Sequence, residues 1–180
     1  MDLREELPSD EQSVRDVHLQ AFGRGHAVGD LVGSLRDTIT PQSGLSLLAE
    51  LDGQVVGHVM FTRCLLDAPA RLVDVQVLSP VGVLPEFQRR GIGSALIRHG
   101  LETLAERAVP VVFLEGNPAY YSRFGFVRGE DLGFRKPSLR IPDGAFQAIT
   151  LPAHEPWMTG TLVYSEPFWR HDAVGLRNPD

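Results

Sequence analysis

The sequence predicts a single α/β domain: a mixed central sheet of six to seven strands with helices on both faces. Three observations point there. Residues 45–51 and 54–66 are apolar runs joined by Asp52-Gly53, the two-residue turn of an antiparallel hairpin. Residues 72–83 form a longer valine-rich run, as expected of a central strand covered on both sides. That run passes through Gln88-Arg89-Arg90-Gly91-Ile92-Gly93 into a periodic helix and then into the apolar strand 109–114. Strand, helix and strand in that order make a right-handed parallel crossover.

The remaining elements follow in chain order. Residues 3–7 read as a short first strand. Ser9 is a candidate N-cap with Gln12 as its capping-box partner, opening a helix whose inner face carries Val14, Val17, His18 and Ala21. A second helix over 28–37 turns Leu31, Val32 and Leu35 inward. Within 72–83, Pro80 and Gly82 weaken the ladder, so the strand is expected to bulge or splay near 79–82. The helix over 91–107 has Ile97, Leu101, Leu104 and Ala108 on one stripe. A short helical turn spans 117–123 and stops at Gly125. Two late strands are expected at 145–151 and 160–164. The domain covers 1–170, and 171–180 is expected to be a loose tail.

Composition excludes several classes. At 180 residues, with 43% hydrophobic and 22% charged residues, the chain suits one well-buried domain. A net charge of -6 argues against a nucleic-acid partner. No stretch approaches the roughly 18 apolar residues of a membrane span, and the N-terminus does not read as a secretory signal. The single cysteine, Cys64, fits a reducing cytoplasm and no internal disulfide. The six histidines are scattered without metal-ligand spacing, so no metal is expected.

The strongest motif is the loop after the valine-rich run. Gly91 and Gly93 let the backbone turn tightly against a ligand, and the helix behind them presents unpaired N–H groups and the positive end of its dipole. Such an assembly binds phosphate, and Arg89 and Arg90 add charge. It is not a Walker loop, because Ser94 follows Gly93 with no lysine. It is not a dinucleotide fingerprint either, because Leu96 stands where the third glycine belongs. Gln88, Gly91 and Gly93, preceded by Val83 and Pro85, resemble the acyl-coenzyme A loop of the GCN5-related N-acetyltransferases (GNAT). The resemblance implies a GNAT-like sheet with a V-shaped splay between the fourth and fifth strands. It also implies acetyl-CoA as co-substrate. Residues Gln88, Arg89, Arg90, Gly91, Ile92, Gly93 and Ser94 would hold the pyrophosphate, while Val81 and Val83 pair through their backbone with the pantetheine arm.

A second motif runs from Glu115 to Phe126 and contains Asn117, Tyr120, Tyr121, Gly125 and Phe126. It resembles the GNAT segment in which an asparagine contacts the coenzyme and a tyrosine lies near the thioester sulfur. The place of that tyrosine before the glycine in the family implies Tyr121, and Tyr120 is expected to pack. The chemistry suits a phenol: with a pKa near ~10 it keeps its proton at neutral pH, while a thiol leaves with a pKa near ~8.5. Tyr121 is thus a candidate general acid for the departing thiolate.

The amine side is less defined. A lysine-like amine of pKa ~10.4 is neutral in only about one molecule in two thousand at pH 7, so a base or a water chain would help. Glu115 is the nearest candidate by sequence, with His58 and the pair His154-Glu155 as others. A lone histidine on an apolar strand is more often an interior residue than a catalyst. Cys64 lies in an apolar strand and reads as a small buried hydrophobe, and Trp157 and Trp169 as packing. The expected function is acetyl transfer from acetyl-CoA to a primary amine in a ternary complex, by a monomer or homodimer. The alternative is a non-catalytic acyl-CoA-binding module.

Overall fold

The computed structural model describes residues 1–23 and 26–177. The chain opens with strand β1 (Asp2–Glu5), helix α1 (Glu11–Phe22) and helix α2 (His26–Arg36). Strands β2 (Gly44–Leu51), β3 (Gln54–Asp67) and β4 (Leu72–Val83) follow, then helix α3 (Ile92–Glu106) and strand β5 (Val111–Glu115). The last part carries helix α4 (Pro118–Tyr121), strands β6 (Val127–Arg128), β7 (Phe134–Arg135), β8 (Phe146–Thr150) and β9 (Gly160–Val163), and helix α5 (Glu166–Arg170).

The sheet order is β1-β2-β3-β4-β5-β8-β6, with β9 pairing β3 and β7. All seven expected strands are present. The two additions, β6 and β7, are two residues long and too short to leave a periodic signal. The sheet is mixed, as expected: β2 and β3 are antiparallel, β4 and β5 parallel. Asp52 and Gly53 both have positive φ, 50° and 81°, the turn geometry that matches the twist of the hairpin strands. The β4–β5 ladder joins Gln76 to Val112 and Val77 to Phe113.

The chain divides into two compact units, Met1–Thr62 with Leu78–Leu104 and Arg63–Val77 with Ala105–Asp180. In the first unit, successive β3 residues serve opposite faces. Gly57 and Phe61 face α3: a Cβ at Gly57 would lie 3.0 Å from Ile92, and one at Gly100 would lie 2.2 Å from the Phe61 ring. His58 faces the other way, towards His18 of α1. Phe61 is fully buried, and removing such a ring from water contributes roughly 1.5–3 kcal/mol.

In the second unit, Phe113 of β5 meets Phe134 edge-on and stacks on Phe146, with ring centroids 4.9 and 5.7 Å apart. Gly160, at φ 140°, lets β9 start against the backbone of Asp67, where a Cβ would stand 2.0 Å from a carbonyl oxygen.

Two local expectations are corrected. Helix α1 begins at Glu11, with Asp10 as N-cap in place of Ser9. Pro8–Asp10 forms a 3-10 turn instead, and the Asp10 carboxylate turns back to accept from the Leu7 N–H (2.8 Å) and the Arg4 guanidinium (2.6 Å). The stretch after residue 170 is tied down rather than loose. Val174 is buried, its carbonyl accepts from Arg140, and the Leu176 N–H reaches the Arg140 carbonyl. Residues 178–180 of that expected tail lie outside the described residues. Among the described residues no helix is long and apolar enough to cross a membrane.

Candidate active site

The loop between β4 and α3 is built from its own residues. A 3-10 turn over Pro85–Phe87 follows β4, and Gln88 then donates its side-chain amide to the Val83 carbonyl at 3.0 Å. Gln88 thereby ties the loop to the strand end. Arg89 has φ 61° and Gly91 φ 84°, so the backbone reverses twice within three residues. The first α-helical hydrogen bond runs from Ala95 N to the Gly91 carbonyl (2.9 Å). The N–H groups of Ile92, Gly93 and Ser94 consequently have no partner within the helix, the arrangement that accepts an anion. Ile92 is only 3% exposed and anchors the helix start in the core. Arg89, Arg90 and Gly91 are exposed, and the Arg90 guanidinium sits 5.2 Å from the Phe87 ring centroid. Val81 and Val83 are half-buried on the same strand.

In the second unit, Asn117 caps α4: its Oδ1 accepts from the Ala119 N–H at 2.9 Å. Tyr121 is half-buried, its ring edge-on to Tyr120 and Phe126 at 5.0 and 6.0 Å. A Cβ at Gly116 would lie 2.4 Å from the Tyr121 ring, so the bare glycine backbone is what lets the ring lie there. Burial, with a smaller contribution from Tyr120, pushes the Tyr121 phenol up to about 12. The Arg123 guanidinium covers Tyr120, 4.7 Å from its centroid, consistent with a packing role for that ring.

Glu115 ends β5 with both carboxylate oxygens engaged. Oε1 accepts from the Tyr164 hydroxyl at 2.8 Å and Oε2 from the Gly175 N–H at 3.0 Å. Burial raises its pKa despite these bonds. His154 contacts the Met158 carbonyl within its own loop, at 3.2 Å. Cys64 is buried, its thiol pushed up to about 11 by burial, as suits an inert core residue. Among the described residues, no group of three or more His, Cys, Asp or Glu is placed to hold a metal ion.

A family model for an acetyltransferase (GNAT) domain matches residues 2–129. The chain belongs to this family. It is 34% identical over 163 residues to YjhQ of Escherichia coli, named as an uncharacterized N-acetyltransferase, covering 88% of this chain and 89% of that one. The structure of YhbS, a GNAT-family N-acetyltransferase from Escherichia coli in complex with CoA, matches with a TM-score of 0.82 at 29% identity, over 94% of this chain and 92% of YhbS. A GNAT-family acetyltransferase from Brucella melitensis in complex with acetyl-CoA matches with a TM-score of 0.73 at 32% identity, over 93% of this chain and 97% of that one. The chain is therefore a GNAT-type acyltransferase with the mixed sheet of that family.

One cluster in this GNAT chain escaped the reading of the sequence. His18 and His58, both fully buried, meet with His18 Nε2 2.8 Å from His58 Nδ1. His58 Nε2 lies 2.7 Å from Ser46 Oγ and 3.3 Å from Glu6 Oε2, the Ser46 hydroxyl donates to Glu6, and Arg36 donates to the other Glu6 oxygen at 2.8 Å. Burial opposes charge on Glu6, but its contacts with His58 and Ser46 and the charge of Arg36 outweigh it, and the carboxyl is held at about 2. Burial also pushes His18 down to about 3 and lowers His58. The cluster thus holds an ionised carboxylate and two neutral rings. The available signal was a histidine at a core position of a helix and another at a core position of a strand.

Proposed function

We propose that this GNAT chain transfers an acetyl group from acetyl-CoA to a primary amine, on a small molecule or exposed on a protein, by direct attack in a ternary complex. Residues 1–170 act as one transferase domain. The loop residues Arg89 to Ser94 hold the pyrophosphate with their N–H groups and the two arginine charges. Val81 and Val83 offer strand backbone to the pantetheine arm, in the manner of an added strand. Gln88 keeps that loop fixed to the strand, and Asn117 orders the turn that carries Tyr121. The observation that carries this reading is the double backbone reversal at Arg89 and Gly91 in front of unpaired helix N–H groups. Relatives of similar fold have been solved holding CoA and acetyl-CoA, which supports the same ligand here.

Tyr121 serves the departing sulfur. A phenol raised to about 12 keeps its proton until thiolate charge develops beside it, then donates it. For Glu115, two hydrogen bonds from its own unit favour an anchoring role over proton abstraction. The test is release of free thiol across a library of amines, with acetyl-, propionyl- and succinyl-CoA, alongside calorimetry of coenzyme binding. Tyr121→Phe should lower turnover by about a hundredfold while coenzyme affinity stays within a few-fold. Turnover equal to wild type would remove Tyr121 from the chemistry. Binding without transfer to any amine would make the chain a coenzyme-binding module.

A further inference from the structure

The Glu6–Ser46–His58–His18 chain has a direction. An ionised carboxylate can only accept, so the Ser46 proton points to Glu6 and the Ser46 oxygen must accept from His58 Nε2–H. His58 Nδ1 is then bare and accepts the His18 Nε2–H. That leaves His18 Nδ1 bare as well, fully buried and without a hydrogen-bond partner. The sequence of donors therefore fixes the tautomer of both rings from one carboxylate.

The unpartnered nitrogen faces Gly82 of β4. A Cβ built there would lie 2.9 Å from His18 Nδ1, 3.1 Å from His18 Cε1 and 3.5 Å from Ala21. The ring thus rests directly on the backbone between Val81 and Val83, with no room for a side chain. Phe22 stacks on His18 at 5.9 Å and His58 meets it edge-on at 5.0 Å, so the ring is held from both sides. A buried acceptor left without a partner costs stability, and here it is retained at one place on one strand.

We propose that His18 is a positioning residue for acyl transfer: it sets where the β4 backbone at Gly82 lies, and the carboxylate-anchored chain presents a bare nitrogen to that strand. The inference rests on the proposed role of Val81 and Val83 in binding the coenzyme arm. A Cβ at Gly82 would meet Nδ1 at 2.9 Å, so a proton on Nδ1 would crowd a contact that is already close. The bare tautomer lets the strand sit close.

The test begins with calorimetry of the wild-type protein and CoA. If CoA does not bind, the functional reading fails on its own account, and this inference with it. If it binds, Gly82→Ala should weaken CoA binding by about tenfold or more, since overpacking there must move either His18 or the strand. Adding His18→Ala should restore part of that loss, so the double variant binds more tightly than Gly82→Ala alone. Losses that simply add would overturn the proposal. Nitrogen NMR of wild-type protein labelled at histidine needs no variant. Both rings should show a protonated Nε2 and a bare Nδ1, and saturating CoA should shift the His18 Nδ1 signal. The opposite tautomer, or a signal unmoved by CoA, would overturn the inference.

Discussion

The loop between β4 and α3 and the buried polar cluster lie in the same unit and are built in opposite ways. The loop is contiguous: Val83 to Ser94 supply the turn, the tether from Gln88, the two left-handed residues and the helix start. Its charges are exposed. The cluster draws on five places, the end of β1, α1, α2, β2 and β3, and its rings are wholly buried. Strand register alone brings its core together. Glu5 pairs with Leu47, and the Glu6 N–H continues the ladder to the Ser46 carbonyl, while Ser46 faces Met60 and Leu48 faces His58. Glu6, Ser46 and His58 consequently share one face of three adjacent strands. The exposed loop is written locally, and the buried cluster is gathered from a distance.

Breaking the cluster should produce the largest effect on stability. Glu6→Gln keeps the shape but removes the charge facing Arg36, and it replaces one of the two acceptor oxygens that meet Arg36 and Ser46 with a donor NH2. The Glu6 side chain is 5% exposed and that of Arg36 22%, so about 3 kcal/mol should be lost, the low end for a broken buried pair. Urea unfolding measures it. A loss under 1 kcal/mol would mean that the cluster is not a fold-determining contact.

Acid should act on the same cluster with a slope. His18 has a folded pKa of about 3 against an ordinary value of 6.5, so the unfolded chain binds its proton first. Its contribution is therefore complete above pH 6.5 and declines as pH falls towards 3. The decline reaches at most about 1.4 kcal/mol per pH unit for each such group. His58, lowered by burial, adds in the same direction. Glu6, at about 2, loses its contribution only as pH falls from 4.5 towards 2. The groups facing His18 are Glu6, His58 and Arg36, and Arg36 is also 3.6 Å from Glu11. Between pH 6.5 and 4.5 the slope carries the two histidines and, in the opposite sense, Glu115, whose carboxyl is raised by burial, so the assignment is read from the variant: His18→Phe should flatten that limb. An unchanged slope in the variant would refute the assignment.

The contrast also explains what could be read from residues alone. The seven main strands were legible because apolar runs and the Asp52-Gly53 turn are local, and the loop was legible because its glycines, arginines and helix start are neighbours in the chain. The start of α1 was not. Ser9 has the better local capping pattern, but Arg4 and Leu7 compete for Asp10 and draw the chain into a 3-10 turn. His18 was visible only as one more residue on an apolar helix face. Its partner lies 40 residues on, and no local pattern connects them. The anchored stretch after 170 depends on Glu115 and Arg140, which its own composition does not announce.

The loop should respond in the reverse sense to the cluster. Replacing Arg89 and Arg90 together by alanine removes exposed charge that the fold does not use, so the unfolding midpoint should stay within about 0.5 kcal/mol of wild type. Coenzyme affinity should fall by about tenfold or more, with the salt dependence of binding reduced, since two charge-assisted contacts to phosphate are lost. Equal affinity in the double variant would leave the backbone N–H groups as the whole of the anion site.

The smallest effect should come from a carboxylate with the same type of partner as Glu6 in a different environment. Glu166 and Arg170 pair at 2.8 Å across one turn of α5, as Arg36 and Glu6 do at 2.8 Å, but their side chains are 63% and 64% exposed. Water competes for both groups, salt screens them, and an exposed helix pair of this spacing contributes about 0.3–0.5 kcal/mol. Glu166→Gln should therefore shift the urea midpoint barely beyond error, and even that shift should vanish in high salt. The distance between the charges is the same in the two pairs. A loss from Glu166→Gln as large as that from Glu6→Gln would mean that burial and the Ser46 hydrogen bond on Glu6 do not distinguish the cluster, and the contrast between the two regions would fail at its physical root.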